Sequence, residues 1–305
     1  MPYADPRPSA RLKMLKKLRG AANLILGKIH PEEKRPNFAG TLGDIDRKRS
    51  DSLSDIYYGY KGPRLICKWD HYLPIYSKLL APYRNRPLRF LEIGVSQGGS
   101  LELWRTYFGS QAIIFGIDID PTCARFSDEV AQVRIGSQDD PQFLASVTDE
   151  MGGIDVVLDD GSHIGSHQID AFNALFPRLN DDGLYLVEDL HTAYWRSWKG
   201  GLRRRGTFIE FAKALADDMN GWYHSGYSGP KHAVGGVHFY DAIVAIEKQP
   251  LRRPIVVDMP EKKAPPGAPS FAHRAKVGIS GDDTEQIRRR AIQSIAITAR
   301  TRISP

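Results

Sequence analysis

The 305-residue sequence lacks several features that define whole classes of protein. It has no apolar run of about 18 residues, so no transmembrane segment is expected. Its only two cysteines, Cys67 and Cys123, cannot form a disulfide framework or a paired-cysteine metal site. Free cysteines are typical of a reducing compartment, so we expect a cytoplasmic protein. The sequence also has no internal repeat, which argues against a solenoid or propeller.

Positive charge is unevenly distributed, although the formal net charge is +6. Lys and Arg are concentrated in the first fifty residues and after Pro250. They are not interleaved with aromatic residues in a motif, so we expect no specific nucleic-acid partner. Hydrophobic residues make up 41% and charged residues 26% of the sequence, proportions that are ordinary for a globular protein.

The composition divides the chain into three segments. Residues 1–50 form a basic arm whose stretch RLKMLKKLRGAANLILGKI has apolar residues at spacings of three and four. This helix can pack on its own domain, on a partner subunit or on a membrane surface, so peripheral membrane contact and homo-oligomerisation both stay open. Residues 31–64 are polar and rich in Gly and Pro, which predicts irregular structure. Residues 251–305 form a Pro/Arg-rich tail that we expect to be largely disordered.

Residues 51–250 alternate between strand-like and helix-like hydrophobic patterns. Five apolar runs each precede a stretch with helical spacing: RFLEIGV, AIIFGIDI, AQVRIG, IDVVLDD and GLYLVED. Such units predict an α/β, Rossmann-like fold with a mostly parallel sheet and helices on both faces. The last stretch, GGVHFYDAIVAIEK, has two strand-like halves and predicts an antiparallel hairpin that closes a seven-stranded sheet. A further helix is predicted over DHYLPIYSKLLAPYR, before the first strand.

The stretch FLEIGVSQGGS predicts a ligand-binding turn between the first strand and its helix. Its Gly-x-x-x-Gly-Gly spacing differs from the dinucleotide fingerprint, and Glu92 before the turn favours a cationic ligand such as a sulfonium. Asp118, at the end of the second strand, can accept both hydroxyls of a ribose or can cap the helix near Pro121. The predicted cofactor-binding residues are Glu92, Gly94, Gly98, Gly99, Ser100, Asp118, Ser137, Gln138 and Asp139, with Asp159 as a supporting acid.

Carboxylates follow the fourth and fifth strands, which are neighbours in this topology. Asp159 or Asp160 comes from LDDGSH, and Glu188 and Asp189 come from LVEDLH. Several carboxylates can share a site in the ionised state only with a compensating cation, and Mg²⁺ prefers oxygen ligands. A histidine beside such an ion can take the proton of an activated hydroxyl.

These motifs give residues 52–249 a resemblance to a known family. LEIGVSQGGSLELW, IDIDP, LDDGSH, LVEDLHTAYW and HFYDAIVAIEK are similar to motifs of the macrocin- and mycinamicin-type sugar O-methyltransferases, which overlap with the rhamnosyl O-methyltransferase and cephalosporin-hydroxylase-like proteins. The resemblance implies a class I methyltransferase fold, S-adenosylmethionine and Mg²⁺ as cofactors, and methyl transfer to a sugar hydroxyl. The acceptor can be a glycosylated natural product, a glycolipid or a polysaccharide.

The resemblance also implies roles for particular residues. Asp160, Glu188 and Asp189 correspond to the metal ligands and His163 to the general base. His191 follows the second acid pair and is the rival base.

Two other functions stay open. A nicotinamide-dependent oxidoreductase shares the first strand–turn–helix, but the glycine spacing and the absence of a Tyr-x-x-x-Lys pair argue against it. A non-catalytic membrane-peripheral or partner-binding protein is the other.

Tyr72 and Tyr76 can reach the cofactor or pack in the core. Tyr194, Trp195 and Trp198 can form an acceptor wall or fill the core, and 199–206 can be a lid or a solvated loop.

Overall fold

The structure is a computed structural model that describes residues 52–224 and 229–257. The chain divides into one compact unit spanning Met1–Pro254 and a second spanning Ile255–Pro305, and every element below belongs to the first. The predicted amphipathic arm and most of the predicted tail lie outside the described residues. Within the described part of the chain, the helices are too short or too polar to cross a membrane.

Seven strands alternate with helices after two initial helices. The α-helices are α1 (Ser52–Gly59), α2 (Tyr72–Leu80), α3 (Gly99–Phe108), α4 (Pro141–Met151), α5 (Gly165–Leu175) and α6 (Phe208–Met219). The strands are β1 (Leu88–Ile93), β2 (Ala112–Asp118), β3 (Gln132–Ile135), β4 (Ile154–Asp159), β5 (Leu179–Val187), β6 (Val234–Phe239) and β7 (Val244–Lys248). The segment PTCARF, predicted to be helical, forms a 3₁₀ helix over Pro121–Phe126.

The seven strands form one sheet in the order β3-β2-β1-β4-β5-β7-β6. Strands β1 to β5 pair in parallel, and β7 is antiparallel to both β5 and β6. The predicted parallel sheet and its closing antiparallel hairpin are therefore confirmed. The strand order reverses between β1 and β4, and ligands of open α/β sheets bind at such a switch point, outside the carboxyl ends of the strands.

Two hydrophobic clusters cover the two faces of the sheet. Successive strand residues point to opposite faces, so Phe90 packs in the cluster with α1, α2 and α3, whereas its neighbour Leu91 packs in the cluster with α4, α5 and α6. Trp104 of α3 and Phe172 of α5 are fully buried in these two clusters. Both faces are thus covered by helices, and the strand ends stay accessible.

The prediction of irregular structure for residues 31–64 is wrong over Ser52–Gly59, which forms α1. Leu53 is fully buried and Ser54 nearly so, and the helix packs against α2 and α3. Because SLSDIYYG has few apolar residues, its local pattern is weak. Burial against the two other helices stabilises the helix, a contribution that local propensity does not report.

Candidate active site

A cleft of about 630 Å³ lies at the carboxyl ends of β1, β2, β3 and β4. This volume is in the range of small-molecule sites. One wall of the cleft is the segment 65–68, which precedes α2. The predicted site residues that line the cleft are Gly94, Gly99, Ser100, Asp118, Ser137, Gln138, Asp160 and His163.

Asp118 holds the turn after β1 in place. Its Oδ2 accepts hydrogen bonds from the backbone N–H groups of Val95 and Ser96, both at 3.0 Å, and its Oδ1 accepts one from the N–H of Asp120 at 2.8 Å. The alternative that Asp118 caps the next helix is wrong, because Asp120 accepts from the N–H of Thr122 at 2.9 Å. Asp118 therefore lines the cleft with a fixed carboxylate.

Two glycines of this turn are required by close contacts within the protein. Gly94 has φ +94°, and a Cβ there would lie 2.1 Å from the backbone oxygen of Asp160. Gly98 has φ +74°, and a Cβ there would lie 2.7 Å from the ring of Phe126. The space beside Gly98 therefore holds an aromatic ring, whereas the sequence predicted that it admits a ligand.

Glu92 is fully buried and does not line the cleft, and its contact with the cofactor stays a prediction. Its carboxylate accepts hydrogen bonds from Ser100 Oγ at 2.8 Å and Trp104 Nε1 at 3.1 Å. Burial raises the pKa of Glu92 to about 7 although Lys68 Nζ lies 3.9 Å away and opposes the shift. Glu92 thus stabilises the wall of the cleft through Ser100.

Asp159, predicted as a supporting acid of the cofactor site, is also fully buried and does not line the cleft, and its contact with the cofactor stays a prediction. Its Oδ1 accepts hydrogen bonds from Gln138 Nε2 and from the N–H of Gly161, both at 3.2 Å. Gln138 Oε1 in turn accepts from the N–H of Ser162 at 2.6 Å. Asp159 therefore orients Gln138, which ties the loop after β3 to the loop after β4. Burial raises the pKa of Asp159 to about 7.

Asp139 lies beside the cleft rather than in its wall. Its carboxylate accepts a hydrogen bond from Ser137 Oγ and lies 3.7 Å from His167 Nε2. His167 itself lines the cleft, and its Nδ1 is 3.1 Å from Ser162 Oγ. The ends of β3 and β4 are thus joined by a polar network at the cleft.

The ends of β4 and β5 bring the predicted acid cluster together around a lysine. Lys68 Nζ lies 2.6 Å from Asp160 Oδ2 and 2.5 Å from Glu188 Oε1, and its side chain is 3% exposed. Asp160 and Glu188 therefore share a cation, which is the ammonium of Lys68. Burial alone would lower the pKa of Lys68, but the carboxylates of Asp160, Glu188 and Glu92 outweigh it and raise the pKa.

Asp189 is positioned by its backbone and by one tyrosine. It has φ +57°, and its Oδ1 accepts a hydrogen bond from the hydroxyl of Tyr72 at 2.8 Å. His163 Nε2 lies 3.6 Å from Asp189 Oδ2 and 3.9 Å from Asp160 Oδ1. Asp160, His163 and Asp189 together offer three ligand atoms within 4.8 Å of one another. Tyr72 and Tyr76 do not line the cleft, and both are fully buried in the core.

The donor set fits a divalent cation. Glu188 is 2% exposed, and its Oε2 has no hydrogen-bond partner among the described residues. Burial raises the pKa of Glu188 to about 7, and Lys68 opposes that shift. An unpartnered buried carboxylate oxygen is costly unless a cation or donor compensates it. Hard oxygen ligands of this kind suit Mg²⁺.

His191 also lies beside Asp189. Its Nδ1 lies 3.8 Å from Asp189 Oδ1, and its ring sits between Trp69 and Trp195, with centroid distances of 5.4 and 4.7 Å. Burial lowers the pKa of His191, which favours the neutral, proton-accepting form near pH 7. Both histidines thus lie beside Asp189, and their positions leave either able to act as a base.

A second cavity of about 520 Å³ adjoins His191. Its wall includes Tyr194, Phe239 and Tyr240. Of the aromatic residues predicted as an acceptor wall, only Tyr194 lines it. Trp195 packs edge-to-face on Trp198, with a centroid distance of 5.6 Å.

Sequence reasoning missed Lys68 and the role of Tyr72. A lone lysine before a helix gives no signal of burial, because a lysine is ordinarily solvated. The position of the Tyr72 hydroxyl on Asp189 depends on how α2 packs on the sheet. The local sequence carries no trace of either contact.

Comparisons with known proteins find methyltransferases similar to this chain. No family model matches the chain. The chain is 37% identical over 198 residues to the 8-demethyl-8-(2-methoxy-alpha-L-rhamnosyl)-tetracenomycin-C 3'-O-methyltransferase of Streptomyces olivaceus, covering 59% of this chain and 50% of the relative. It is 33% identical over 222 residues to the mycinamicin VI 2''-O-methyltransferase of Micromonospora griseorubida, covering 66% and 53% respectively.

A solved structure is similar as well. The MycE methyltransferase from the mycinamycin biosynthetic pathway, in complex with Mg, SAH and mycinamycin VI, superposes with a TM-score of 0.59 at 32% identity, covering 66% of this chain and 54% of that one. The predicted class I methyltransferase fold and the resemblance to macrocin- and mycinamicin-type sugar O-methyltransferases are thus confirmed. The chain spans about half the length of the curated relatives that it matches.

Proposed function

We propose that this chain is an S-adenosylmethionine- and Mg²⁺-dependent O-methyltransferase that acts on a hydroxyl group of a sugar. The observation that carries the proposal is the convergence of Asp160, Glu188, Asp189 and His163 at one edge of the 630 Å³ cleft. The names of the relatives support it, since they are O-methyltransferases of glycosylated compounds. So does the MycE structure that contains Mg and SAH.

The cofactor would lie in the cleft. Asp118, Ser137 and Gln138 line it with polar atoms at the ends of β2 and β3, where a nucleoside can be hydrogen-bonded. The turn after β1 leaves its backbone open to the cleft between Gly94 and Ser100. These residues bind and orient the donor so that its methyl group faces the acid cluster.

Asp160, Glu188 and Asp189 would hold the metal. When bound, Mg²⁺ supplies Lewis acidity, which lowers the pKa of an acceptor hydroxyl and fixes its position. The three carboxylates lie at the ends of two adjacent strands, and the rigid sheet keeps them in position.

His163 would remove the proton. As the acceptor oxygen attacks the methyl carbon, the bond from that carbon to sulfur breaks and S-adenosylhomocysteine leaves with the electron pair. The hydroxyl proton passes to His163 Nε2. Asp189 Oδ2, 3.6 Å from that nitrogen, stabilises the imidazolium that forms. His191 takes the same role if the acceptor enters from the second cavity.

The acceptor is a sugar carried by a larger glycosylated molecule. Tyr194 and Phe239 are about half exposed in the second cavity, and exposed aromatic faces stack on sugar rings or on a flat aglycone. The relatives named for tetracenomycin and mycinamicin support a glycosylated natural product. Glycolipids and polysaccharides are the other acceptor classes to be tested.

Transfer of a labelled methyl group to a panel of glycosides tests the proposal. We expect Asp160→Asn to lower kcat by about 100-fold or more while S-adenosylmethionine binding measured by calorimetry is retained. Asp170→Asn, on the exposed face of α5, is the matched control and should be fully active. If His163 is the base, His163→Gln should lower kcat by about 100-fold, and His191→Gln should lower it much less.

Two results would overturn the proposal. One is full activity in excess EDTA, which would show that the reaction does not need a metal ion. The other is binding of NADH without binding of S-adenosylmethionine, which would indicate an oxidoreductase. A larger loss in His191→Gln than in His163→Gln would instead reassign the base within the same mechanism.

A further inference from the structure

Lys68 is the buried cation of the acid cluster, and no part of the methyl-transfer mechanism above uses it. Its side chain is 3% exposed, and the segment 65–68 carries it along the wall of the cleft. It therefore enters the cluster from outside the sheet, whereas the carboxylates come from the strand ends.

The ammonium contacts two of the carboxylates that would hold the metal. It lies 2.6 Å from Asp160 Oδ2 and 2.5 Å from Glu188 Oε1, and 3.9 Å from Glu92 Oε1. Asp189 instead accepts a hydrogen bond from the hydroxyl of Tyr72, and its other carboxylate oxygen faces the ring of His163. Lys68 thus bridges the carboxylates contributed by β4 and by β5.

A divalent cation would bind the same two carboxylate groups, for which Glu188 Oε2 is left unpartnered beside the Oε1 that accepts from Lys68. Mg²⁺ binds carboxylate oxygens at about 2.0–2.1 Å and requires near-octahedral geometry. Two cations bound to the same pair of carboxylates repel one another through a poorly solvated region. Full coordination by both Asp160 and Glu188 therefore weakens the contacts of Lys68.

We propose, on the basis of the function proposed above, that Lys68 is a built-in competitor of the divalent ion that holds Asp160 and Glu188 together and lowers the affinity of the site for metal. Binding of the ion and the hydrogen bonds of the ammonium are then negatively coupled. The lysine keeps the carboxylates in position for the ion and makes the ion exchangeable. Coupling of this kind between two ligands typically changes affinity by roughly 5- to 150-fold and is reciprocal.

Calorimetric titration of the full 305-residue chain with MgCl₂ and MnCl₂ tests this inference. We expect Lys68→Met to bind either ion about tenfold more tightly than the wild type, because the competing charge is gone. Lys68→Arg keeps the charge and should bind metal within about threefold of the wild type. Lys61→Met removes an exposed lysine from the same loop and is the matched control, with unchanged affinity expected.

A thermal melt adds a readout that is independent of activity. Without metal, Lys68→Met should melt below the wild type, because the buried Glu188 and the partly buried Asp160 lose their partner. Excess Mg²⁺ should raise the melting temperature of Lys68→Met by more than it raises that of the wild type. If Lys68→Met does not fold, wild-type crystals soaked in MnCl₂ decide the question. Lys68 Nζ should then lie more than about 3.5 Å from Asp160 Oδ2 or Glu188 Oε1.

The outcomes separate this inference from the proposed function. Equal or weaker metal affinity in Lys68→Met, or an ammonium still bonded to both carboxylates beside bound Mn²⁺, would overturn the role of Lys68 and leave the metal-dependent enzyme intact. If neither the wild type nor Lys68→Met binds a divalent ion, the metal site itself is overturned. Tighter binding in Lys68→Met alone supports the competition.

Discussion

At the scale of single residues, this site depends on buried carboxyl groups. Glu92, Asp159 and Glu188 are each almost or completely inaccessible to solvent, and burial raises the pKa of each carboxyl to about 7. Glu92 and Asp159 support the cleft from behind its wall, and Glu188 completes the acid cluster. Charges of this kind are costly in an apolar core, so their presence marks a functional region.

The raised pKa of Asp159 predicts a specific pH dependence of stability. An unfolded aspartate has a pKa of about 3.9, so this carboxyl stabilises the fold below about pH 4 and loses that contribution as the pH rises through about 7. Asparagine does not ionise but can still accept a hydrogen bond from Gln138. We therefore expect the free energy of unfolding of Asp159→Asn, taken relative to the wild type, to increase by roughly 1–3 kcal/mol between about pH 5 and about pH 8.

Denaturant unfolding at several pH values measures that difference. The exposed Asp170→Asn serves as control, and its difference from the wild type should stay constant. A difference for Asp159→Asn that does not change with pH would show that the carboxyl is solvated or fully compensated.

At the scale of elements, the helices before the sheet connect the fold to the site. The α1 helix packs on α2 and α3, α2 carries Tyr72 to Asp189, and the segment between α1 and α2 carries Lys68 to the acid cluster. Leu53 is the fully buried apolar residue by which α1 joins the core. The local sequence of α1 is a weak helix signal, so we expect this contact to stabilise the helix.

Leu53→Ala should therefore destabilise the protein by about 2–4 kcal/mol, through lost burial and the cavity left behind. Chemical denaturation monitored by circular dichroism gives the free energy of unfolding. Leu202→Ala removes the same side chain from a position that is 79% exposed and should change stability by less than about 0.5 kcal/mol. Similar losses in the two variants would mean that α1 is not part of the cooperative core.

At the scale of the whole molecule, one stretch of the chain contains both the core and the site. The two hydrophobic clusters extend from Leu53 to Ile246, and the residues that line the cleft lie between Leu65 and His167. The acid cluster is completed by Glu188 and Asp189, within the same range. The methyltransferase-like domain predicted over residues 51–250 therefore contains the parts that the proposed function needs.

We accordingly expect a fragment spanning residues 52–257 to fold and to bind S-adenosylmethionine. Its affinity should stay within about threefold of that of the full chain, because the cleft and both clusters are retained. Calorimetry gives the affinity, and a single cooperative thermal transition shows folding. A fragment that melts without cooperativity, or that loses the cofactor, would show that residues outside this range complete the domain.

Much of this architecture follows from local patterns. The alternation of apolar strands and amphipathic helices predicted the parallel sheet, and GGVHFYDAIVAIEK predicted the hairpin β6–β7. These features are predictable because side-chain periodicity decides which face of a strand or helix is buried. The motifs LDDGSH and VEDLH follow two strands that are neighbours in the sheet. Because adjacent parallel strands end at one edge, these motifs predicted that Asp160 and Glu188 lie close together.

The sequence by itself determined the order of the strands along the chain, the glycine turn after β1 and the carboxylates at the strand ends. Only the tertiary structure decided that Glu92 and Asp159 are fully buried, that Phe126 fills the space beside Gly98, and that Lys68 enters the acid cluster. The physical reason is distance along the chain: periodicity and turn chemistry act over a few residues, whereas Lys68 and Glu188 are 120 residues apart and meet only through packing.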